Sequence, residues 1–229
     1  MHQGSAWEKE YRNPKLMTGG AKPQKDFLNF LKFLKKEESA SWRNKVKNVL
    51  DLGSGTGRNA NYLASLGNSV IGIEISKTAI EIAKSNAREE NLHVDYRLGD
   101  IAKPYDIAND SIDIILDITS SNSLDEKGRE VYLQEMHRVL KSGGYVFVRA
   151  LCKDGNVNVK NLLKSNPGAE KDTYHIKEMG LTERVFSKSD IVEMYSKYFK
   201  ILKLEKKTSY SKMAGRIYKR DYWLMYLQK

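Results

Sequence analysis

Two spacings of apolar residues run through this chain. In "PQKDFLNFLKFLKK", Phe27, Phe30, Leu31 and Leu34 follow the i, i+3, i+4, i+7 spacing of an amphipathic helix, and Pro23 suits its first turn. Beyond it, short runs rich in Val, Ile and Leu predict strands at "KNVLDLG", "SVIGIEIS", "HVDYRLGD", "SIDIILDI" and "YVFVRALC". Between them, helical spacing returns in "RNANYLASLG", with Gly67 as its stop, and in "KTAIEIAKSNAREEN", with Ile80 and Ala83 inward. It returns again in "EKGREVYLQEMHRVLKSGG", which ends on a glycine stop.

The alternation and the short connections require βαβ crossovers. The strands show little polar alternation, as strands covered on both faces do. The expected fold is therefore α/β: a doubly wound, mostly parallel sheet with helices on both faces. Residues 153–186 break the rhythm with Gly155, Pro167, Gly168 and Gly180 and are expected to form an inserted loop or lid. "SKSDIVEMYSKYF" resumes as a helix capped by Ser187 or Ser189, and "KILKLEKKTSY" and "YKRDYWLMYLQK" are expected to pair as a closing antiparallel hairpin. One domain covers residues 1–229: an N-terminal segment and helix (1–45), a core (46–152), the insert (153–186) and a C-terminal helix and hairpin (187–229). Residues 1–5 carry no readable pattern and receive no weight.

Composition narrows the class. The 229 residues are 40% hydrophobic and 30% charged, which is globular. No apolar run is long enough for a membrane span, and no apolar signal core opens the chain, so a cytoplasmic location is expected. Cys152 is the single cysteine, so neither an internal disulfide nor a multi-cysteine metal site is expected, and no metal is assigned. The net charge of +10 is uneven: residues 1–60 carry +6, residues 61–196 carry −4 and residues 197–229 carry +8. Basic ends can mark an anionic partner, and scattered lysines can equally serve solubility.

The chemistry concentrates in "VLDLGSGTGRNA", residues 49–60. A strand that ends in a glycine-rich turn and opens a helix places backbone N–H groups and a positive dipole end at the carboxyl edge of the sheet. A phosphate-binding loop would need a lysine after its second glycine, and none follows. A dinucleotide loop would need a third glycine at position 58, which is Arg58. The observed spacing is Gly-x-Gly-x-Gly over Gly53, Gly55 and Gly57, with Asp51 two residues ahead.

This loop, followed in order by "VIGIEIS", "YRLGDI", "IILDITSSNSL" and "EMHRVLKSGGYVFV", resembles the class I S-adenosylmethionine-dependent methyltransferases over roughly residues 46–150. The resemblance implies a Rossmann-like sheet, S-adenosyl-L-methionine as cofactor and S-adenosyl-L-homocysteine as product. It implies that Gly53, Ser54 and Gly55 pass close to the ligand and that Asp51 supports its cationic methionine portion. Glu74 would take the ribose hydroxyls and Ile75 an adenine face. Asp100 would take the adenine amino group beside the Ile101 N–H, and Asp117 would face the reactive end. Trp7 or Tyr11 resembles an aromatic element that folds over the cofactor in small-molecule members of the family.

Methyl transfer from a sulfonium needs alignment more than a dedicated base, so no catalytic residue is assigned. The Asp/Asn-Pro-Pro-aromatic run of enzymes that methylate base or amide nitrogens is absent from "DITSSNSL". Ser120, Ser121, Asn122 and Ser123 could line an acceptor pocket or cap the next helix. Among the histidines, His93 is expected at a strand start, His137 on a helix surface and His175 in the insert, where it is a candidate base. Arg149 could meet an anionic acceptor or pair with an acid. Cys152 is expected to be a packing residue. The acceptor expected is a small molecule. The alternatives are an RNA or protein acceptor held by the basic termini, and a non-catalytic cofactor-binding role.

Overall fold

The computed structural model describes residues 3–14, 20, 22–213 and 216–229. Nine strands and eight α-helices are present among them. The strands are β1 (Asn48–Leu52), β2 (Ser69–Glu74), β3 (Asp95–Leu98), β4 (Ile112–Ile118), β5 (Leu140–Leu151), β6 (Thr173–Ile176), β7 (Leu181–Arg184), β8 (Lys200–Met213) and β9 (Arg216–Gln228). The helices are α1 (Gly4–Arg12), α2 (Lys25–Glu37), α3 (Ala40–Arg43), α4 (Arg58–Ser65), α5 (Lys77–Glu89), α6 (Glu126–Val139), α7 (Val157–Ser165) and α8 (Lys188–Tyr195).

Seven strands form one sheet in the order β3-β2-β1-β4-β5-β9-β8. The first five are parallel, while β9 runs antiparallel to both β5 and β8. This is the doubly wound α/β arrangement, with a closing antiparallel hairpin. Strand order reverses between β1 and β4, and ligands of such sheets bind at the carboxyl ends beside that switch point. One apolar cluster centres on Leu50, Leu52, Ile115, Met136 and Val146. A second centres on Phe27, Phe30, Val49, Leu116 and Phe147. Alternate residues of β1 and β4 thus feed opposite faces, both of them covered.

Several local expectations change. Pro23 lies outside α2, because Gln24 is its N-cap and accepts from the Phe27 amide. Helix α6 ends at Val139 and not at the glycines: Leu140 already pairs with Ile112, and Gly143, at φ +75°, lies within β5 at an irregularity of the ladder. The insert is not a bare loop. It contains α7 and the two-stranded β6–β7 sheet. Ser187 is the cap of α8, in a capping box with Asp190. His93 precedes β3 and does not join it. His137 is half-buried against Tyr198 and Phe199.

The first residues also carry structure. The Gln3 side-chain amide donates to the Ser123 and Thr182 carbonyls (2.5 and 2.9 Å), and its Oε1 accepts from the Thr182 amide (2.9 Å). Glu8 accepts from the Ser76 and Thr78 hydroxyls, each at 2.7 Å, and these bonds hold its carboxyl down to about 2. Helix α1 is therefore pinned at one end to β7 and at the other to the start of α5. Replacing Gln3 with Ala removes three partly buried hydrogen bonds, so the urea midpoint should fall by the equivalent of about 1–3 kcal/mol. An unchanged midpoint would show that the tie contributes nothing.

Among the described residues, no helix is long and apolar enough to cross a membrane. Nor does any group of three or more His, Cys, Asp or Glu converge as a metal site.

Candidate cofactor and acceptor cavity

The turn after β1 adopts a left-handed backbone at Gly53 (φ +69°), Gly55 (+54°) and Gly57 (+84°). Crowding at these glycines comes from the protein itself. A Cβ on Gly53 would lie 2.2 Å from the Ser120 Oγ, and one on Gly55 would lie 2.8 Å from the Tyr11 Oη. The amides of Gly53 and Ser54 both donate to the Ile73 carbonyl (2.8 and 3.1 Å), and Gly55 donates to the Glu74 carboxylate (2.9 Å). These three amides are committed to β2 and its end. They do not form the open N–H cradle that the sequence alone suggests, and an oxyanion would find them occupied.

A cavity of about 1350 Å³ opens beside this turn. Tyr11, Asp51, Gly53, Ser54, Gly55, Glu74, Ile75, Asp100 and Ile101 all line it, so nine of the ten cofactor-side residues expected from sequence come together. Asp51 is 2% exposed, and its Oδ2 has no hydrogen-bond partner; the buried Ser54 Oγ also has none. Burial pushes the Asp51 carboxyl up to about 7, with Asp117 and Glu74 adding repulsion while Arg58 opposes it. Glu74 is also raised by burial, although it accepts from Gly55 and from the Ser76 amide. Asp100 accepts from the Ala102 amide at 2.9 Å. Burial, and then the Glu74 charge, raises the Tyr11 phenol above its ordinary value.

The tenth residue does not line the cavity. Asp117 is fully buried and engaged: it accepts from the Ser120 amide (2.8 Å) and from the Tyr132 hydroxyl (2.7 Å). It holds the turn after β4, where Thr119 sits at φ +67°, a strained conformation for a β-branched residue. That turn presses Ser120 against Gly53.

Among Asn122, Arg149 and His175, His175 lines the cavity; its Nδ1 lies 3.3 Å from the Thr182 Oγ1. Asn122 is fully buried, and its Oδ1 accepts from the Leu151 amide, which ties the β4 turn to β5. Arg149 pairs with Asp26 (3.3 Å) and stacks over the Tyr222 ring, 3.3 Å from its centroid. Both are structural ties. Ser120 and Ser123 do line the cavity, and Asp125 is the cap of α6.

Sequence reading missed Gln3, Arg58, Arg184 and Arg220 in the lining. Arg58 was legible as the residue that opens the helix after the glycine turn. The other three reach the cavity only through long-range folding. The Cys152 thiol is buried and raised to about 11 by burial, as suits a packing residue.

The fold and this cavity have counterparts among known proteins. The family model for a methyltransferase domain matches residues 49–144. An uncharacterized methyltransferase of Schizosaccharomyces pombe is 35% identical over 104 residues, covering 45% of this chain and 71% of that protein. A ubiquinone biosynthesis O-methyltransferase of Pelagibacter ubique is 30% identical over 128 residues, covering 55% of this chain and 50% of that one, so this chain spans about half its length. A solved S-adenosylmethionine-dependent methyltransferase structure from Methanosarcina mazei superposes with a TM-score of 0.70 at 21% identity, over 84% of this chain and 98% of that chain. The family match spans the glycine turn and the end of β2, and the chain belongs to the class I S-adenosylmethionine-dependent methyltransferases.

Proposed function

We propose that this enzyme methylates a small molecule enclosed between the glycine turn and the β6–β7 insert. The observation that carries this reading is a single cavity lined at one end by Asp51, Glu74 and Asp100 and at the other by the insert, with Gln3, Trp7 and Tyr11 of the N-terminal segment over it. Its volume exceeds the roughly 300–1,000 Å³ of a typical single-ligand pocket. The O-methyltransferase name of one relative points the same way.

The donor end fits a cationic, phosphate-free ligand. The Asp51 Oδ2 and Ser54 Oγ are buried polar atoms without partners, and the turn amides are already used. In this reading Asp51 supports the methionine amine, and Gly53, Ser54 and Gly55 border that portion. Glu74 takes the ribose hydroxyls, and Ile75 and Ile101 enclose the adenine with Asp100 at its amino edge. Tyr11 closes the near side. S-adenosylmethionine supplies a methyl group already activated on a sulfonium. The chain then has to align an acceptor in line with that methyl and keep water out, which can supply roughly 7–11 kcal/mol of the barrier. His175 stands at the acceptor end as the candidate base for an alcohol or amine acceptor.

We assign the cavity's acceptor wall to residues 153–186 and the donor wall to residues 46–152, within one domain. Three of the hairpin lysines are engaged with acids: Lys207 pairs with Asp26 (2.8 Å), Lys203 with Glu205 (2.6 Å), and Lys206 lies 3.8 Å from Asp221. Part of the basic stretch, residues 214–215, lies outside the described residues.

S-adenosylhomocysteine should raise the melting temperature, and Gly53→Arg should abolish the rise. Incubation with labelled cofactor and a cell extract should place the label in the small-metabolite fraction. Label in RNA or protein would overturn the small-molecule reading.

A further inference from the structure

The donor end of the cavity holds an acid and a base that face one space without touching. Asp51 lies in β1, Arg58 opens α4, and the glycine turn joins them; both line the cavity. Each charge acts on the other, and both reach the Tyr11 phenol, so the three groups stand together. Burial, and then the Arg149 charge, lowers the Arg58 guanidinium, while Asp51 supports it. Among the described residues, however, half-buried Arg58 makes no ion pair within 4 Å and no hydrogen bond. The Asp51 Oδ2 is buried without a partner. Arg58 also breaks a local rule. It is the first residue of a helix whose first turn has no acid and whose N-cap, Gly57, offers no side chain. A cation there opposes the helix dipole, whereas a small anion there is stabilised by it. Residues that break local preference concentrate at functional sites.

The methionine portion of the cofactor carries an ammonium and a carboxylate on one carbon. The Gly53, Ser54 and Gly55 amides cannot serve that carboxylate, because they are bonded within the protein. The Arg58 guanidinium is planar and uncommitted, and its fork matches a carboxylate. We infer that Arg58 binds the carboxylate of the cofactor's methionine portion while Asp51 takes its amine, so that the pair recognises the amino acid as a zwitterion. This rests on the donor-end reading above, in which Asp51 faces the amine. No excess charge is required of the site. Site and ligand each carry one positive and one negative group, and binding replaces one separated pair by two close ones. A donor that lacks the carboxylate would leave Arg58 unmatched and would be selected against.

The test is calorimetric titration of the full chain with three ligands. They are S-adenosylhomocysteine, its decarboxylated analogue, which keeps the amine, and methylthioadenosine, which has neither group. Wild type should bind S-adenosylhomocysteine about tenfold or more tightly than the decarboxylated analogue. Arg58→Gln should lose that preference by weakening S-adenosylhomocysteine alone. Arg58→Lys keeps the charge but not the planar fork; it should retain part of the preference, and it serves if Arg58→Gln does not fold. Asp51→Asn should weaken both amine-bearing ligands and leave the preference in place. Methylthioadenosine should bind wild type and every folded variant alike. Equal binding of the first two ligands by wild type, or an undiminished preference in either Arg58 variant, would overturn the inference. Asp51→Asn that binds both amine-bearing ligands as tightly as wild type would overturn the Asp51 reading on which the pair rests. Wild type that binds none of the three would overturn the cofactor assignment instead.

Discussion

Asp51→Asn should weaken binding of S-adenosylmethionine by about tenfold to a hundredfold and, without ligand, should make the protein more stable at pH 8. Both effects follow from one buried carboxyl. In the folded chain it is pushed up to about 7, while an unfolded aspartate ionises near 4. Between those values the native state holds a proton that the unfolded state has released. The stability this group contributes is therefore complete at low pH and is lost as pH rises through that window. By pH 8 the native state carries an ionised carboxylate in a site that disfavours it, at a cost of up to about 4 kcal/mol. Asparagine carries no such charge. Urea titrations at pH 5 and pH 8 should show the variant's advantage growing with pH. Ligand affinity runs the other way. A cationic methionine portion favours the ionised form, so wild-type affinity should rise from pH 5.5 to 8 while the variant's stays flat. A variant that binds as tightly as wild type at pH 8 would remove Asp51 from the donor site.

Gly57→Ala should cost about 2–5 kcal/mol of stability. The backbone at this position is left-handed, and the new Cβ would lie 2.2 Å from the Tyr96 Oη and 3.0 Å from the Ala83 Cβ. Tyr96 cannot simply retreat, because its hydroxyl donates to the Asn61 Oδ1 at 2.6 Å. Gly67 is the internal control. It has nearly the same φ, +82°, but a Cβ there would meet nothing within 4 Å, so Gly67→Ala should cost only about 1–2 kcal/mol. Equal losses in the two variants, by urea denaturation, would show that backbone conformation and not packing sets the requirement. The third glycine of the motif is thus kept by a tyrosine and a helix of the same chain.

The parts of this protein that were legible in sequence are those built from local pattern. The five parallel strands, the helices between them and the closing hairpin follow from apolar spacing and turn residues. Eight of the nine expected cofactor-side residues that line the cavity lie at strand ends or turns whose place in the sheet follows from that order, and the ninth, Tyr11, lies in α1. The failures share a cause. Asp117 resembles its neighbours in sequence, but the Tyr132 hydroxyl and the Ser120 amide claim it, and only the packed α6 and the strained β4 turn bring them there. Arg149 is drawn away by Asp26, 123 residues distant, and Asn122 by the Leu151 amide. Arg184 and Arg220 become cavity residues because the β6–β7 and β8–β9 hairpins fold toward the same opening. The helix stop at Val139 was hidden because a serine and two glycines usually end helices, whereas here they lie inside a strand that has already begun to pair.

The attachment of α1 has a consequence for how the molecule is made. Its anchors are Ser76 and Thr78, Ser123 and Thr182, so the last of them lies 179 residues after Gln3. During synthesis Glu8 can reach Ser76 and Thr78 once α5 has emerged, but the Gln3 end of this helix has no complete docking site until β7 has left the ribosome. Contacts of such long sequence separation form late, because chain closure has to precede them. The sheet and its glycine turn should therefore assemble around an open cleft, and the covering helix should arrive as one of the final steps. In a hydrogen-exchange pulse-labelling experiment, amides of β1 and β4 should gain protection before the Thr182 amide does.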